Sequence, residues 1–355
     1  MTQDDHEAVL QSGGLWQRSG PWVVAAIVLV GWVAVWAKVG SGVAFGAPDL
    51  MIQIDRFPRV VHFEDSIFDY VNYSPLPVAL AKLAGATSQR SNAFLQFLIL
   101  VAGSTVVCVV AARTDRNRAG YGALALFSTI VPLQVFFFNG SYDNVLVVLL
   151  FAAALLERPL WVFPVIGLLA GTTHAEIAAV VGVELLALSW CGLGPSIGTR
   201  LRLLGGVAVG RVLVTIWALS QHTATSRWSF IRRYGPGKLV HATFSQLPLV
   251  LWSLMAGGIL MVGYLLVVAP SRRLGVAVAG SLALNVLVVL LTVDETRVAA
   301  ILTLPLVVVA GAFSPSRPIK RWVCVCAVAI TFAPPFYVSY LGSRLKVGHP
   351  FQILW

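Results

Sequence analysis

Apolar stretches of bilayer-spanning length recur along nearly the whole chain, and no other feature restricts its fold so strongly. A hydrocarbon core of roughly 30 Å calls for about 20 apolar residues in a helix, whose backbone must satisfy its own hydrogen bonds. The runs fall at 21–38, 93–112, 119–138, 143–156, 159–173, 176–191, 203–220, 247–269, 275–292, 297–313 and 322–341. No alternation of period two marks them as barrel strands, so the reading is an all-α polytopic membrane protein with about eleven transmembrane helices. The runs at 143–156 and 159–173 are short for full crossings unless flanking polar residues share the depth. Composition agrees, with 58% of the 355 residues hydrophobic and 11% charged.

The breaks between the runs carry the orientation signal. With residues 1–20 as a cytoplasmic tail, the short cytoplasmic loops hold Arg113, Arg116 and Arg118, then Arg158, Arg200 and Arg202, Arg272 and Arg273, and finally Arg317, Lys320 and Arg321. Each is basic, as the preference for positive charge inside demands. The tail itself, with Asp4, Asp5 and Glu7, does not read as a cleavable signal, so the first run is expected to stay as an anchor. Residues 21–342 are then one multi-span domain and 343–355 an extracytoplasmic tail. A formal charge of +10 could suggest nucleic acid, but its placement in short loops favours orientation and phosphate contacts, and no nucleic-acid partner is expected.

On the opposite face the same arrangement collects Asp49, Asp55, Glu64, Asp65, Asp69, Asp143, Glu176, Asp294 and Glu295. Carboxylates can gather there merely because the other side is tuned to be basic. That does not account for Arg227, Arg232, Arg233 and Lys238 in the loop 221–246, where orientation disfavours cations and an anionic ligand would explain them. Trp228, Phe230 and Tyr234 among them equally suit a helix lying in the lipid headgroups. The cysteines, Cys108, Cys191, Cys324 and Cys326, lie near cytoplasmic span ends, which argues against disulfides, and the Cys324/Cys326 pair lacks further ligands for zinc. No metal site or cofactor is expected, and any need for a divalent ion is left open.

Two stretches carry a family resemblance. The first runs Gly46-Ala-Pro-Asp49-Leu-Met-Ile-Gln-Ile-Asp55-Arg56 and continues at Asp69-Tyr-Val-Asn-Tyr73-Ser-Pro75-Leu-Pro77. It places an acid shortly after the first span, then an amphipathic helix, then a proline-rich start to the next helix. The second is Asn139-Gly-Ser-Tyr-Asp143, followed by Gly167-Leu-Leu-Ala-Gly171-Thr-Thr-His174-Ala-Glu176. Together they resemble the GT-C superfamily of integral-membrane glycosyltransferases, in particular bacterial mannosyl- and arabinosyltransferase-like members that use polyprenyl-phosphate sugars. His174 with Glu176 departs from the lysine that many members carry there.

The resemblance implies an inverting transfer of one sugar from a polyprenyl-phosphate donor to an extracytoplasmic glycan, glycolipid or protein, in the plasma membrane of a bacterium. Such a reaction needs one carboxylate to take the acceptor proton, and positive charge rather than an acid for the departing phosphate. Asp49 is the expected base, with Asp55 next and Asp69 behind; a cap on the amphipathic helix is the alternative role for Asp49. Asp143, His174, Glu176, Arg227, Arg232, Arg233 and Arg297 are the expected substrate-binding residues, although Arg297 could equally pair with Asp294 or Glu295. Glu184 and Arg211, the charges within adjacent runs, are read as an ion pair. A transporter or flippase for a lipid-linked anion, coupled through His174, Glu176 and Glu184, is the alternative from another class, and a noncatalytic assembly subunit is a third.

Overall fold

The computed structural model describes residues 20–40, 47–61, 74–137, 143–222, 231, 234–292, 294–313, 319–340 and 343–347. The helices are α1 (Pro21–Val39), α2 (Ala47–Arg56), α3 (Pro75–Leu83), α4 (Gln89–Thr114), α5 (Arg116–Ser128), α6 (Val131–Phe137), α7 (Asp143–Leu155) and α8 (Val162–Trp190). They continue as α9 (Ile197–Ser220), α10 (Pro236–Ser245), α11 (Leu247–Met255), α12 (Ile259–Val268), α13 (Arg272–Val289), α14 (Glu295–Ala312) and α15 (Arg321–Phe332). Strands β1 (Phe336–Tyr340) and β2 (Ser343–Val347) form an antiparallel hairpin. Local chemistry sets several starts. The Ser88 hydroxyl accepts the Ser91 N–H while Ser91 returns a bond to the Ser88 N–H, a reciprocal cap on α4. The Asp115 carboxylate accepts the Arg118 N–H to open α5, and Pro21 and Pro75 fill first turns where no N–H is needed.

Among the described residues seven helices are long and apolar enough to cross a membrane, or eight if the bent pair α5 and α6 is one span. This fits an all-α membrane protein and corrects the expected eleven spans. The runs that fall short are α7, with 13 residues, and α15, with 12, while the runs at 159–173 and 176–191 join in the one long helix α8, which counts once among the seven. The run 322–341 stops as a helix at Phe332 and turns into the β hairpin, so the fold is not purely helical and the chain beyond 342 pairs as a strand.

Helix α8 is a hairpin. Its backbone leaves helical geometry at His174 (φ −156°, ψ 82°), and the two arms fold back on each other along α9. In the first arm Gly167 meets the backbone of Leu203 and Val207, and Gly171 meets Val207, so this arm runs with α9. In the second, Glu176 reaches Arg211, Gly182 lies against Leu204 and Ser189 meets Arg200, so this arm runs against it. Phe163 and Ser189 both touch Arg200, although a straight helix would hold residues 26 positions apart at ~39 Å. Gly167, Gly171, Gly206 and Gly210 let these backbones touch; a Cβ on Gly210 would sit 2.5 Å from the Leu168 carbonyl oxygen.

Helix α14 is the axis of the bundle: 83% of its apolar window is buried, against 33% for α1, α9 and α13, whose outer faces are left for lipid. It packs against α5, α7, α11, α12 and α13. Two interrupted helices meet beside it. The chain bends by 61° between α5 and α6, and α11 breaks from α12 at Ala256 (φ 43°). The Thr331 hydroxyl of α15 ties both breaks, accepting the Gly257 N–H at 3.0 Å and donating to the Ser128 carbonyl at 2.6 Å.

The two ends of the bundle differ in charge. At the basic end Arg118 pairs with Glu157 at 2.7 Å and lies over Phe313, Arg273 lies over Trp190, and the buried Arg200 donates to the Ala153 carbonyl. The starts of α7 and α14, the apex of α8 and the end of α9 lie at the opposite, acidic end. There α2 packs Leu50 and Ile54 on Val78, Ala81 and Ala86, as expected of an amphipathic helix, and Trp217 of α9 donates to the Pro58 carbonyl at 3.1 Å.

Candidate functional site

Two groups of charged side chains occupy the acidic end. The first joins the N-termini of α7 and α14. Arg297, in the first turn of α14, places Nη1 2.8 Å from Asp143 Oδ2 and Nε 2.8 Å from Asp294 Oδ2. The side chains of Arg297, Asp143 and Asp294 are 14%, 12% and 4% exposed, so all three have given up most of their water. Both carboxylates sit where a helix N-terminus favours negative charge. The Nε contact is electrostatic and not a well-aligned hydrogen bond, and the Arg297 backbone N–H also acts on the Asp294 carboxylate. Burial pushes the Asp294 carboxyl up to about 6; Arg297 pulls the other way and Asp143 adds to the rise. Glu295, next in the chain, is buried as well.

The second group sits at the apex of the α8 hairpin. His174 Nδ1 accepts the Ile177 N–H at 3.4 Å, which caps the second arm, and lies 3.4 Å from Glu176 Oε2. Glu176 Oε1 in turn faces Arg211 Nη1 at 3.5 Å. The residues that the hairpin brings together are thus two expected members, His174 and Glu176, and an arginine expected to pair elsewhere.

That pairing is corrected. Glu184 is buried on the second arm facing Asn285 of α13, without hydrogen-bonding geometry to it, while Arg211 belongs to Glu176. The reason lies in the antiparallel register: Arg211 is level with the apex, and Glu184 lies two turns further toward the basic end.

The other expected residues divide as follows. Asp55 does not join either group; its side chain is 87% exposed, 4.0 Å from Lys82 Nζ, and Lys82 also donates to the Asp55 carbonyl. Asp49 lies in the backbone of α2, but its side chain is outside the described residues, as are Asp69, Arg227, Arg232 and Arg233. Asp143 and Arg297 come together, and Arg297 takes the intramolecular pairing with Asp294 that its spacing allowed. Sequence reasoning passed over Asp294 and Arg211 as site members. The i, i+3 spacing of Asp294 and Arg297 was the available signal for the first, and nothing short of the hairpin register could give the second. Among the described residues no group of three or more His, Cys, Asp or Glu side chains could hold a metal ion. No family model, curated protein or solved structure matches this chain.

Proposed function

We propose that this membrane protein is a glycosyltransferase that moves one sugar from a polyprenyl-phosphate donor to an extracytoplasmic glycan, glycolipid or protein at the plasma membrane of a bacterium. The observation that supports it is the convergence of Asp143, Asp294 and Arg297 on two helix N-termini at the end away from the basic loops, with the amphipathic helix α2 laid on that same end. In this reading the basic loops face the cytoplasm, and the acidic end opens toward the headgroups of the opposite leaflet.

The step is a single displacement. The acceptor oxygen forms a bond to the anomeric carbon as the bond from that carbon to the phosphate oxygen breaks, and the acceptor proton passes to a carboxylate. Polyprenyl phosphate departs as an anion, so no acid is needed, and cations hold it. Asp49 on α2 is the proposed base, with Asp55 and Asp69 as its substitutes in the same segment. Arg227, Arg232 and Arg233, together with Arg211 at the hairpin apex, are the proposed phosphate contacts. Purified protein in lipid nanodiscs, given labelled polyprenyl-phosphate mannose or arabinose and a crude acceptor fraction, should transfer label, and Asp49→Asn should lower turnover by roughly 10² or more. Absence of transfer from every donor would sink the proposal.

One observation favours a second reading, a transporter or flippase for a lipid-linked anion. Helices broken at His174, Ser128 and Ala256, with a carboxyl buried at Glu184, are features that transport folds use. Movement of a labelled lipid phosphate across proteoliposomes without any chemical change would select it.

A further inference from the structure

We infer that Glu184 holds a proton within the membrane and that its carboxyl forms a reciprocal acid–amide pair with Asn285, a proton-binding site that joins the second arm of α8 to α13. The inference stands apart from the transferase reading and holds equally for a transporter.

Burial and isolation from other charge are the first reason. Glu184 is 1% exposed and Asn285 is fully buried, on two packed helices that are each long and apolar enough to cross a membrane. The charged groups on the surrounding elements are engaged elsewhere. Arg211 of α9 faces Glu176 at the apex, two turns away, and Arg200 near the start of α9 donates to Ser189 and the Ala153 carbonyl. Asp143 of α7 and Asp294 and Arg297 of α14 hold one another, and Glu295 opens α14 at that same end. Lys82 of α3 pairs with Asp55, and Arg272 and Arg273 open α13 at the basic end, where Arg273 lies over Trp190. Glu184 thus has no ion-pair partner among the described residues. A lone carboxylate inside a bilayer is among the costliest groups a protein can carry, and one proton removes its charge.

Hydrogen-bond valence is the second reason. Where the two side chains face each other, both carboxyl oxygens of Glu184 and both the oxygen and the nitrogen of the Asn285 amide are buried without a hydrogen bond among the described residues. As a carboxylate Glu184 only accepts; it could take the amide N–H but would set acceptors against Asn285 Oδ1. As an acid it presents one donor and one acceptor, the same pattern as the edge of a carboxamide. The Glu184 O–H then donates to Asn285 Oδ1, Asn285 Nδ2 donates to the other carboxyl oxygen, and two bonds use all four atoms. The groups come edge to edge by rotation about χ3 of Glu184 and χ2 of Asn285, torsions whose wells are broad. A metal cation would call for about six oxygen ligands, whereas this pair offers fewer and would turn an N–H on the ion. A water molecule between the two would leave the charge stranded.

The test is infrared spectroscopy of the protein in nanodiscs at pH 7, which separates the C=O stretch of a protonated carboxyl from the bands of carboxylates. Wild type should show an acid band that moves when glutamate is isotope-labelled and that is lost in Glu184→Gln. This variant keeps both bonds as an amide–amide pair, so its melting temperature should stay at the wild-type value. Asn285→Leu should retain the band and shift it to the higher frequency of an acid without a hydrogen bond. Absence of a glutamate acid band in folded wild type, or its full amplitude in Glu184→Gln, overturns the proton assignment. A band that Asn285→Leu leaves in place overturns the pairing. A sharp rise in the melting temperature of Glu184→Gln means that wild type buries a charge at this position, and it overturns both. Should Glu184→Gln fail to fold, the shift in isotope-labelled Asn285→Leu carries the assignment, because it moves only the carboxyl that faces Asn285.

Discussion

Replacing Arg297 with glutamine tests how the acidic end is held together. In the native protein the arginine lies between two carboxylates that are 12% and 4% exposed. Its removal leaves both charges buried and uncompensated, a change that typically costs about 3–5 kcal/mol at neutral pH. Asp294→Asn acts differently. Burial raises the Asp294 carboxyl from 3.8 to about 6, so the folded state binds its proton more tightly than the unfolded chain does. The carboxyl is therefore protonated and neutral in both states below pH 4, costs stability as pH rises from about 4 to about 6, and costs a constant amount above that. A shift of that size corresponds to about 3 kcal/mol. The asparagine variant should lose this pH dependence and unfold at neutral pH no earlier than wild type, since the lost contact to Nε is offset by the removed burial of charge.

The assay is thermal unfolding in nanodiscs, followed by tryptophan fluorescence between pH 4 and 8. Arg297→Gln should be strongly destabilised at pH 8 and recover toward acid pH as the stranded carboxylates take up protons. Wild type should lose stability between pH 4 and 6 relative to Asp294→Asn. If the arginine variant's deficit is the same at pH 4 and pH 8, the cluster is not held by buried charge. Equal losses in Asp294→Asn and Arg297→Gln at neutral pH would refute the reasoning as well.

Other outcomes follow from packing and register. Gly210→Val should sharply reduce folded yield, because its first side-chain atom would meet the Leu168 carbonyl, whereas Gly205→Val on the same helix, with open space around it, should be tolerated. Glu184→Gln and Arg211→Gln should have additive effects on stability, since each has its own neighbours; rescue of one by the other would restore the ion pair that the register excludes. Thiols introduced at Lys82 and Trp161 should react with membrane-impermeant reagents from opposite sides of the bilayer, and labelling from one side alone would contradict the placement of the two ends.

The apolar runs located most of the helices because hydrophobic length is a property of the chain alone. They could not distinguish a crossing from an interruption. The runs at 159–173 and 176–191 marked a reversal of the chain near His174, but they read as two crossings what the structure folds as two short arms pressed on α9 through its glycines. The same ambiguity hid the 61° bend after Ser128 and the break at Ala256, because Pro132 and the Gly257-Gly258 pair lie inside unbroken apolar runs that no charge interrupts. Charge was legible at the level of ends: short basic loops gathered at one and carboxylates at the other, as the orientation rule requires.

Which charges would meet was not legible, because pairing inside a bundle depends on depth, and depth depends on direction. Two charged residues on adjacent runs look level in a sequence if each run is one straight crossing. In the structure Arg211 is level with the apex of α8 and Glu184 lies two turns away from it, so the arginine finds Glu176. Arg297 shows the converse case. Its spacing from Asp294 permits a local pair on one helix, yet that pair alone would leave Asp143 buried and ionised at the head of α7. Bringing α7 against α14 supplies the missing cation to Asp143 and concentrates two acids on one arginine. Packing two helices that each begin with an acid thereby makes Arg297 a counter-ion of two of the protein's own carboxylates.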